Sequence, residues 1–255
     1  MILLLLALAS APAAGGAEPK RKPLAGLVVR SDDYELRRSP EVVEEFRGRA
    51  SYAHGGRELH ADWMERRHRG DRWRARGRVR GVLTRGDGTV IEARGHEAAH
   101  DGATRLGWLR PRTGGRLELE RRAPCESRLS SLACRDAYRV AAGAEAPDRA
   151  SAREASWDAR AERLRLEGEV HAWGPSGESW AESADYSHAG RRLDLSGRRP
   201  VMVSRTEDWN GAVQADRIAA LQGAAGPGPA APARVEAAGG VRGWVVFRDG
   251  PGALR

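Results

Sequence analysis

The sequence predicts an all-β protein: antiparallel strands arranged as hairpin units that repeat about every thirty residues. Three observations carry that prediction. Apolar and polar residues alternate in short segments separated by Gly, Asp and Arg clusters, as successive antiparallel strands do. One segment is two-sided along its whole length. Trp73, Ala75, Gly77, Val79, Gly81 and Leu83 share a face, with Arg72, Arg74, Arg76, Arg78 and Arg80 opposite. The spacing between Gly48 and Gly77 is the same as that between Gly168 and Gly197, 29 residues in each case.

The elements follow in order. Residues 1–17 have the layout of a secretory signal peptide, with an apolar run from Ile2 to Leu8 and small residues at Ala11 and Ala13. That run is shorter than the roughly 20 residues needed to cross a bilayer. Residues 18–44 form a polar lead-in, and residues 45–255 the β-domain. Its first strands carry Phe46, Ala50 and Tyr52, then Leu59, Ala61 and Trp63 after the turn at His54-Gly55-Gly56, then the arginine-backed segment, then Val90 to Ala93. Residues 110–160 read as an irregular insertion. The scheme resumes with Leu164, Leu166, Gly168, Val170 and Ala172, then Trp180, Ala184 and Tyr186, Leu193 and Leu195, Val201 and Val203, and Val213 and Ala215. Ala61-Asp62, Ala184-Asp185 and Ala215-Asp216 stand at matching places in their units. Residues 223–234 form a Pro/Gly/Ala-rich loop, and a strand pair from Val235 to Phe247 closes the domain.

Composition narrows the function. The net charge of +8 is carried by arginine, since Lys20 and Lys22 are the only lysines. An exported chain rarely meets nucleic acid, so anionic lipid or glycolipid phosphate is the better partner class. The competing explanation is a GC-rich genome that places Arg wherever a solvated cation is tolerated. Cys125 and Cys134 close a short loop and are expected to form a disulfide in an oxidising compartment. Such a loop stabilises by roughly 2–3 kcal/mol in the chain-entropy description. The spacing is not C-x-x-C and no His lies nearby, which argues against a metal or redox role.

Four stretches carry a family resemblance: FRGRASYAHGGRELHADWMERR, WRARGRVRGVLTRGDGTVIEARG, LRLEGEVHAWGPSGESWAESADYSHAG and LDLSGRRPVMVSRTEDWNGAVQADRI. They resemble the OstA-like repeats of the lipopolysaccharide transport (Lpt) family, and the cleavable-looking signal favours its soluble periplasmic bridge component over the inner-membrane-anchored one or a divergent relative. The resemblance implies an open β-jelly roll whose two sheets enclose a groove for acyl chains. It implies no enzymatic activity and no cofactor, a periplasmic location, a role in outer-membrane biogenesis, and lipopolysaccharide or a related glycolipid as ligand. It also implies edge-strand pairing with other Lpt-type jelly rolls. The groove is then lined by Phe46, Leu59, Ala61, Trp63, Trp73, Ala75, Val79, Leu83, Leu166, Val170, Ala184, Leu195, Val213 and Ala215. Small residues among these leave room that a fully packed core would not. Equally, Gly and Ala can mark bulges and close sheet packing.

Two other readings compete. His96-Glu97-Ala98-Ala99-His100 fits H-E-x-x-H, which on a helix brings two His to one zinc ion beside a water-activating Glu. Gly95 before it and Asp101-Gly102 after it leave little room for such a helix, and Leu106 stands where an extended motif needs His. Trp63, Trp73, Trp108, Trp173 and Trp180 could line a sugar site in a secreted carbohydrate-binding jelly roll. Aromatic core packing is the plainer explanation for them.

Overall fold

A computed structural model of the 255-residue chain describes residues 28–54, 56–84, 89–122, 148–175, 177–205, 209–222 and 232–247. All regular structure among them is β. The strands are β1 (Val28–Arg30), β2 (Asp33–Arg37), β3 (Val43–His54), β4 (Arg57–Arg67), β5 (Arg72–Thr84), β6 (Val90–Asp101), β7 (Leu106–Arg110), β8 (Leu117–Arg122), β9 (Asp148–Ala152), β10 (Glu154–Asp158), β11 (Arg163–Gly174), β12 (Gly177–Ser187), β13 (Arg192–Ser196), β14 (Val201–Arg205), β15 (Trp209–Gln214), β16 (Arg217–Gln222), β17 (Pro232–Ala238) and β18 (Arg242–Phe247). Every pairing is antiparallel.

The register shows how these strands make two layers. β3 pairs with β2 along its first half and with β1 along its second. β6 pairs in the same way with β7 and β8, and β11 with β10 and β9. β12 does so with β13 and β14. The long strands β3, β4, β5, β6, β11 and β12 therefore cross from one layer to the other. The short ones act as the two halves of further crossing strands. One layer, A, holds β2, β7, β10, β13, β16 and β17; the other, B, holds β1, β8, β9, β14, β15 and β18. The result is an antiparallel meander of bent strands, an open two-layer β-architecture of jelly-roll type.

The bend has a repeated chemical cause. At Gly48-Arg49, Gly77-Arg78, Gly168-Glu169, Gly197-Arg198 and Gly239-Gly240, two successive residues have positive φ. The ladder register shifts at the first three of these points. A glycine in the left-handed region at a bulge bends its strand and strengthens the local twist. The facing strand supplies one charged residue. The N–H of Asp32 donates to the carbonyls of Arg47 and Gly48 at 3.1 and 2.9 Å, and the Arg153 N–H to those of Glu167 and Gly168 at 2.9 and 3.0 Å. Side chains then close each corner: Arg49 on Asp32, Arg78 on Asp62, Arg153 on Glu169, Arg198 on Glu182 and Arg199 on Asp216.

The interior is one apolar cluster between the layers. In layer A, Phe46, Met64, Ala75, Ala98, Leu109, Ala155, Leu166, Ala184, Leu195 and Ile218 form a single cross-strand row. In layer B the matching row runs Tyr52, Leu59, Gly81, Ala93, Leu119, Ala150, Ala172, Ser179, Met202 and Val213. Tyr52 meets Trp73 edge-on across the gap, with ring centroids 4.9 Å apart. The outer faces are salt-bridged. Burial pushes the Glu92 carboxyl up, but hydrogen bonds from Arg80 and Arg94 outweigh it and hold the group at about 2.

Several sequence expectations are corrected. Trp63 does not face the interior: it lies opposite Arg47 and Arg76, and its indole N–H donates to Glu45. Met64, fully buried, takes the inward place, because the bulge at Asp62 reverses the strand's alternation. The polar lead-in expected through residue 44 already contains β1 and β2. The irregular insertion expected at 110–160 contains β8, β9 and β10, whose inward residues include Ala150, Ala152 and Ala155, all fully buried. The unit position of Ala61-Asp62 is matched by Ala181-Glu182 rather than Ala184-Asp185, since Glu182 is the residue under Gly197. β17 and β18 do not pair with each other but with β16 and β15, and β17 takes up the last residues of the expected 223–234 loop. The signal segment at 1–17 and the Cys125–Cys134 pair lie outside the described residues.

The corner geometry makes a prediction. A Cβ added to Gly77, at φ +72°, would lie 2.8 Å from the Asp62 Cβ. Gly77→Ala should therefore cost about 2–3 kcal/mol in denaturant unfolding, from left-handed strain plus the clash. Asp62→Ala removes only an exposed ion pair and should cost less than about 1 kcal/mol. Combined with Gly77→Ala, it should relieve only the share due to the Asp62 carboxylate, whose Oδ2 would lie 2.5 Å from the added Cβ, because alanine keeps the Cβ at position 62.

Candidate functional site

Side-chain size is unequally distributed along the interior. Between β8 and β16, Leu117, Leu119, Leu164, Leu166, Leu195 and Ile218 are almost completely buried and fill the space between the layers. Across β4, β5 and β6 the inward positions include instead several small residues, Ala61, Ala75, Gly81, Ala93 and Ala98, beside Leu59, Met64 and Val79. A Cβ built on Gly81 meets nothing within 4 Å. Here the layers leave a cleft of about 230 Å³, lined by Leu59, Trp73, Ala75, Val79, Gly81, Leu83, Ala93, Ala98, Leu109 and Trp157. Arg57, Glu58, Arg74 and His100 border it.

The cleft lies toward the strand ends remote from the bends. Trp73, His100, Gly107 and Trp157 form the inward-facing cross-strand row nearest those ends in layer A. Gly107 is required there: a Cβ would collide with the Trp157 ring. Trp157 crosses the glycine and stacks parallel to His100, with centroids 6.5 Å apart. Burial pushes the His100 imidazole below its ordinary value, so the ring is neutral at pH 7 and adds an aromatic surface to the cleft.

A wider depression of about 760 Å³ adjoins the cleft and shares Trp73, Arg74, Ala99, His100 and Trp157 with it. Its other walls are polar: Arg72, Arg163, Arg165, Thr104, Ser156, Asp101, Asp158 and Asp185, with Trp108. Arg72 pairs with Asp101 at 2.9 Å and Arg163 with Asp185 at 2.9 Å. Arg72, Arg74, Trp108, Arg163 and Arg165 stand on the outer face of layer A, so the depression lies on the far side of strands whose inner face walls the cleft, and the two share Trp73, His100 and Trp157. The cleft can accept an apolar chain, and the depression offers guanidinium groups to an anion.

Of the expected groove residues, Leu59, Trp73, Ala75, Val79 and Leu83 line this cleft. Phe46, Ala61, Leu166, Val170, Ala184, Leu195 and Ala215 are buried in the cluster outside it, and Val213 packs against that cluster. Trp63 is on the outer face. Gly81, Ala93, Ala98, Leu109, Trp157 and His100 were missed as lining residues. Alternation from Ile91 could have found Ala93, but it puts Ala98, five residues on and past the bend, on the opposite face.

The H-E-x-x-H segment lies on strand β6 rather than on a helix. Four residues along a strand span roughly 13 Å, so His96 and His100 do not converge on one ion. Glu97 faces Arg110 and is 3.5 Å from Arg76. The tryptophans considered for a sugar site are likewise divided. Trp63 and Trp108 are on the outside of layer A, Trp73 is in the cleft, and Trp173 and Trp180 are outside layer B with His171.

His100 yields a pH prediction. Its folded pKa is lowered, so the unfolded chain binds the proton more readily, and the stabilisation is present above about 6.5 and lost as pH falls below that value. The wild-type melting temperature should therefore fall more steeply than that of His100→Gln between pH 7 and 5. Parallel curves would contradict a neutral, buried imidazole.

No protein-family model and no curated protein matches the chain. Among solved structures, one similar fold is LptH, the LptA-homologous periplasmic component of the lipopolysaccharide transport device of Pseudomonas aeruginosa. The likeness covers 63% of this chain and 75% of that one, at 10% identity and a TM-score of 0.26.

Proposed function

We propose that this protein is a periplasmic, non-enzymatic carrier of lipopolysaccharide or a related glycolipid, holding acyl chain between its two β-layers on the way to the outer membrane. The observation that carries this reading is the underfilled apolar cleft between the layers, with an arginine-bearing depression on the outer face of the same strands. A narrow slot walled by Ala, Gly, Val, Leu and Trp suits a linear hydrocarbon better than a bulky ring system. It has few polar groups to satisfy a sugar or peptide, and burying those without partners would be costly.

The sheet edges support a second element of the reading, end-to-end joining with a partner of the same architecture. Among the described residues β18 pairs only with β15, and Trp244, Val245 and Val246 are each more than half exposed. At the other end Val28, Tyr34 and Leu36 are exposed on β1 and β2. Unpaired apolar edges are templates for strand addition.

Gly81→Leu tests the slot. The new side chain enters open space at an ordinary backbone conformation, so the melting temperature should hold or rise. Binding of a fluorescent long-chain fatty acid should weaken at least tenfold, and co-purification of lipopolysaccharide from a producing host should be lost. Unchanged binding of both would sink the slot as the lipid site. Val245→Lys tests the edge: chemical cross-linking between copies should disappear while fatty-acid binding persists.

A further inference from the structure

A second, separate site lies on the outside of layer B. His171 on β11 is stacked between two indoles, 4.5 Å from Trp173 on its own strand and 5.0 Å from Trp180 across the ladder, with interplanar angles of 24° and 9°. The three rings form a continuous aromatic block. His171 closes one face of the Trp180 indole, yet Trp180 remains 39% exposed. The block is not part of the interior cluster. Its imidazole Nε2 is buried with no hydrogen-bond partner, and burial keeps the ring neutral.

Beside the block, the bends of three strands converge. The depression between them measures about 500 Å³ and is walled by Trp180, Arg116, Arg198, Arg199, Glu182 and Gln214, among others. That volume falls within the range of small-molecule sites. The guanidinium groups are held but not consumed. Arg198 is 3.4 Å from Glu182 with its side chain 78% exposed, and Arg199 is 3.6 Å from Asp216 and 54% exposed. Arg116 is anchored on Glu169. The wall thus combines a flat aromatic face, several N–H donors with positive charge in surplus, and carboxylate and amide oxygens as acceptors.

We propose that this depression binds a phosphorylated saccharide, with the sugar ring laid on Trp180 and the phosphate held by Arg198 and Arg199. An indole presents a broad apolar face to the C–H side of a pyranose. The carboxylate of Glu182 and the amide of Gln214 accept from or donate to ring hydroxyls. Paired guanidinium groups match the geometry of a phosphate. A bare anion site would have no use for the aromatic block, and a purely apolar ligand none for the arginines. The proposal does not rest on the lipid slot, which lies inside the sandwich and shares no residue with this depression.

The test is calorimetric titration of the full chain with glucosamine 1-phosphate, with glucosamine, inorganic phosphate and adenosine monophosphate as separate ligands. Saturable binding of the sugar phosphate is expected, at least tenfold tighter than any of the other three. Trp180→Ala and Arg199→Gln should each weaken it tenfold or more, while Trp180→Phe keeps it within a few-fold. Gly81→Leu should leave it unchanged, and Trp180→Ala should leave fatty-acid binding unchanged, which separates this site from the slot. Flotation with lipopolysaccharide-containing vesicles identifies the source of the saccharide. Flotation abolished by Trp180→Ala but not by Gly81→Leu assigns a lipid headgroup, and sugar-phosphate binding without flotation assigns a free or polymeric saccharide. Equal binding of inorganic phosphate or adenosine monophosphate, or wild-type affinity in a folded Trp180→Ala variant, overturns the proposal.

Discussion

The two-layer structure depends on the glycine corner. A strand of eleven to thirteen residues, such as β3, β4 or β5, would otherwise run straight through one sheet. A pair of left-handed residues, with glycine first, turns it. The facing N–H then donates to two carbonyls at once, and an ion pair fastens the outside. The steric condition is severe, since the charged residue lies where a Cβ would go. It is met at Gly48, Gly77, Gly168, Gly197 and Gly239 alike. The ion pairs themselves are exposed and contribute little energy. One shows the sign reversed, with Glu169 beside the glycine and Arg153 opposite. What the corner requires is complementary charge, not a particular residue.

Because every strand bends at the same level, the layers face each other along the whole meander, and interior volume is set by side-chain size alone. Between β8 and β16 the inward rows mix alanine with Leu117, Leu119, Leu164, Leu166, Leu195, Met202 and Ile218, and the layers close there. Beside the cleft the facing positions on β5 and β6 are Ala75, Gly81, Ala93 and Ala98, and the layers stand apart. Underfilling of this kind costs cohesion, because lining atoms lose their packing partners. An occupant that supplies those contacts recovers the loss, so the slack region is where a chain-shaped apolar ligand gains most. The aromatic wall of Trp73, His100 and Trp157 keeps the cleft from collapsing.

How much of this was legible in the sequence follows from the same geometry. Alternation gave the strand class, and the spacing of Gly48 to Gly77 and Gly168 to Gly197 marked four of the corners. The arginine-backed face of β5 was readable residue by residue. Trp63 was misplaced because alternation cannot reveal a bulge that adds one residue to the count, and Met64 stands inward on that account. The strands β9 and β10 were passed over because their inward residues are alanines, which carry little hydrophobic signal although they are the most deeply buried in their layer. Trp157 and Gly107 could not be paired from sequence, since the contact joins neighbouring strands separated by fifty residues of chain. The Trp173–His171–Trp180 block was half visible, as two tryptophans in a common repeat. Its partners Arg198 and Arg199 come from a corner on another strand.

The corners also decide what the positive charge means. Most arginines on the outer faces are absorbed into cross-strand ion pairs, as at Arg80–Glu92–Arg94 and Arg192–Asp194–Arg217. These hold the ladder, and each carboxylate neutralises one of the two arginines that share it. A composition rich in arginine is therefore compatible with a mostly structural use of it, and the whole-chain charge is a poor guide to a partner. Recognition is possible only where guanidinium groups border a concavity and keep exposed N–H groups. Among the described residues the concavities that meet this condition include those at Arg57, Arg72, Arg74, Arg163 and Arg165, beside the cleft and on the outside of layer A, and at Arg116, Arg198 and Arg199, outside layer B. Each group stands next to an aromatic surface, tryptophan in both cases, so anionic and apolar contacts are offered together. That pairing, rather than the charge itself, is what points to an amphiphilic or saccharide-bearing ligand.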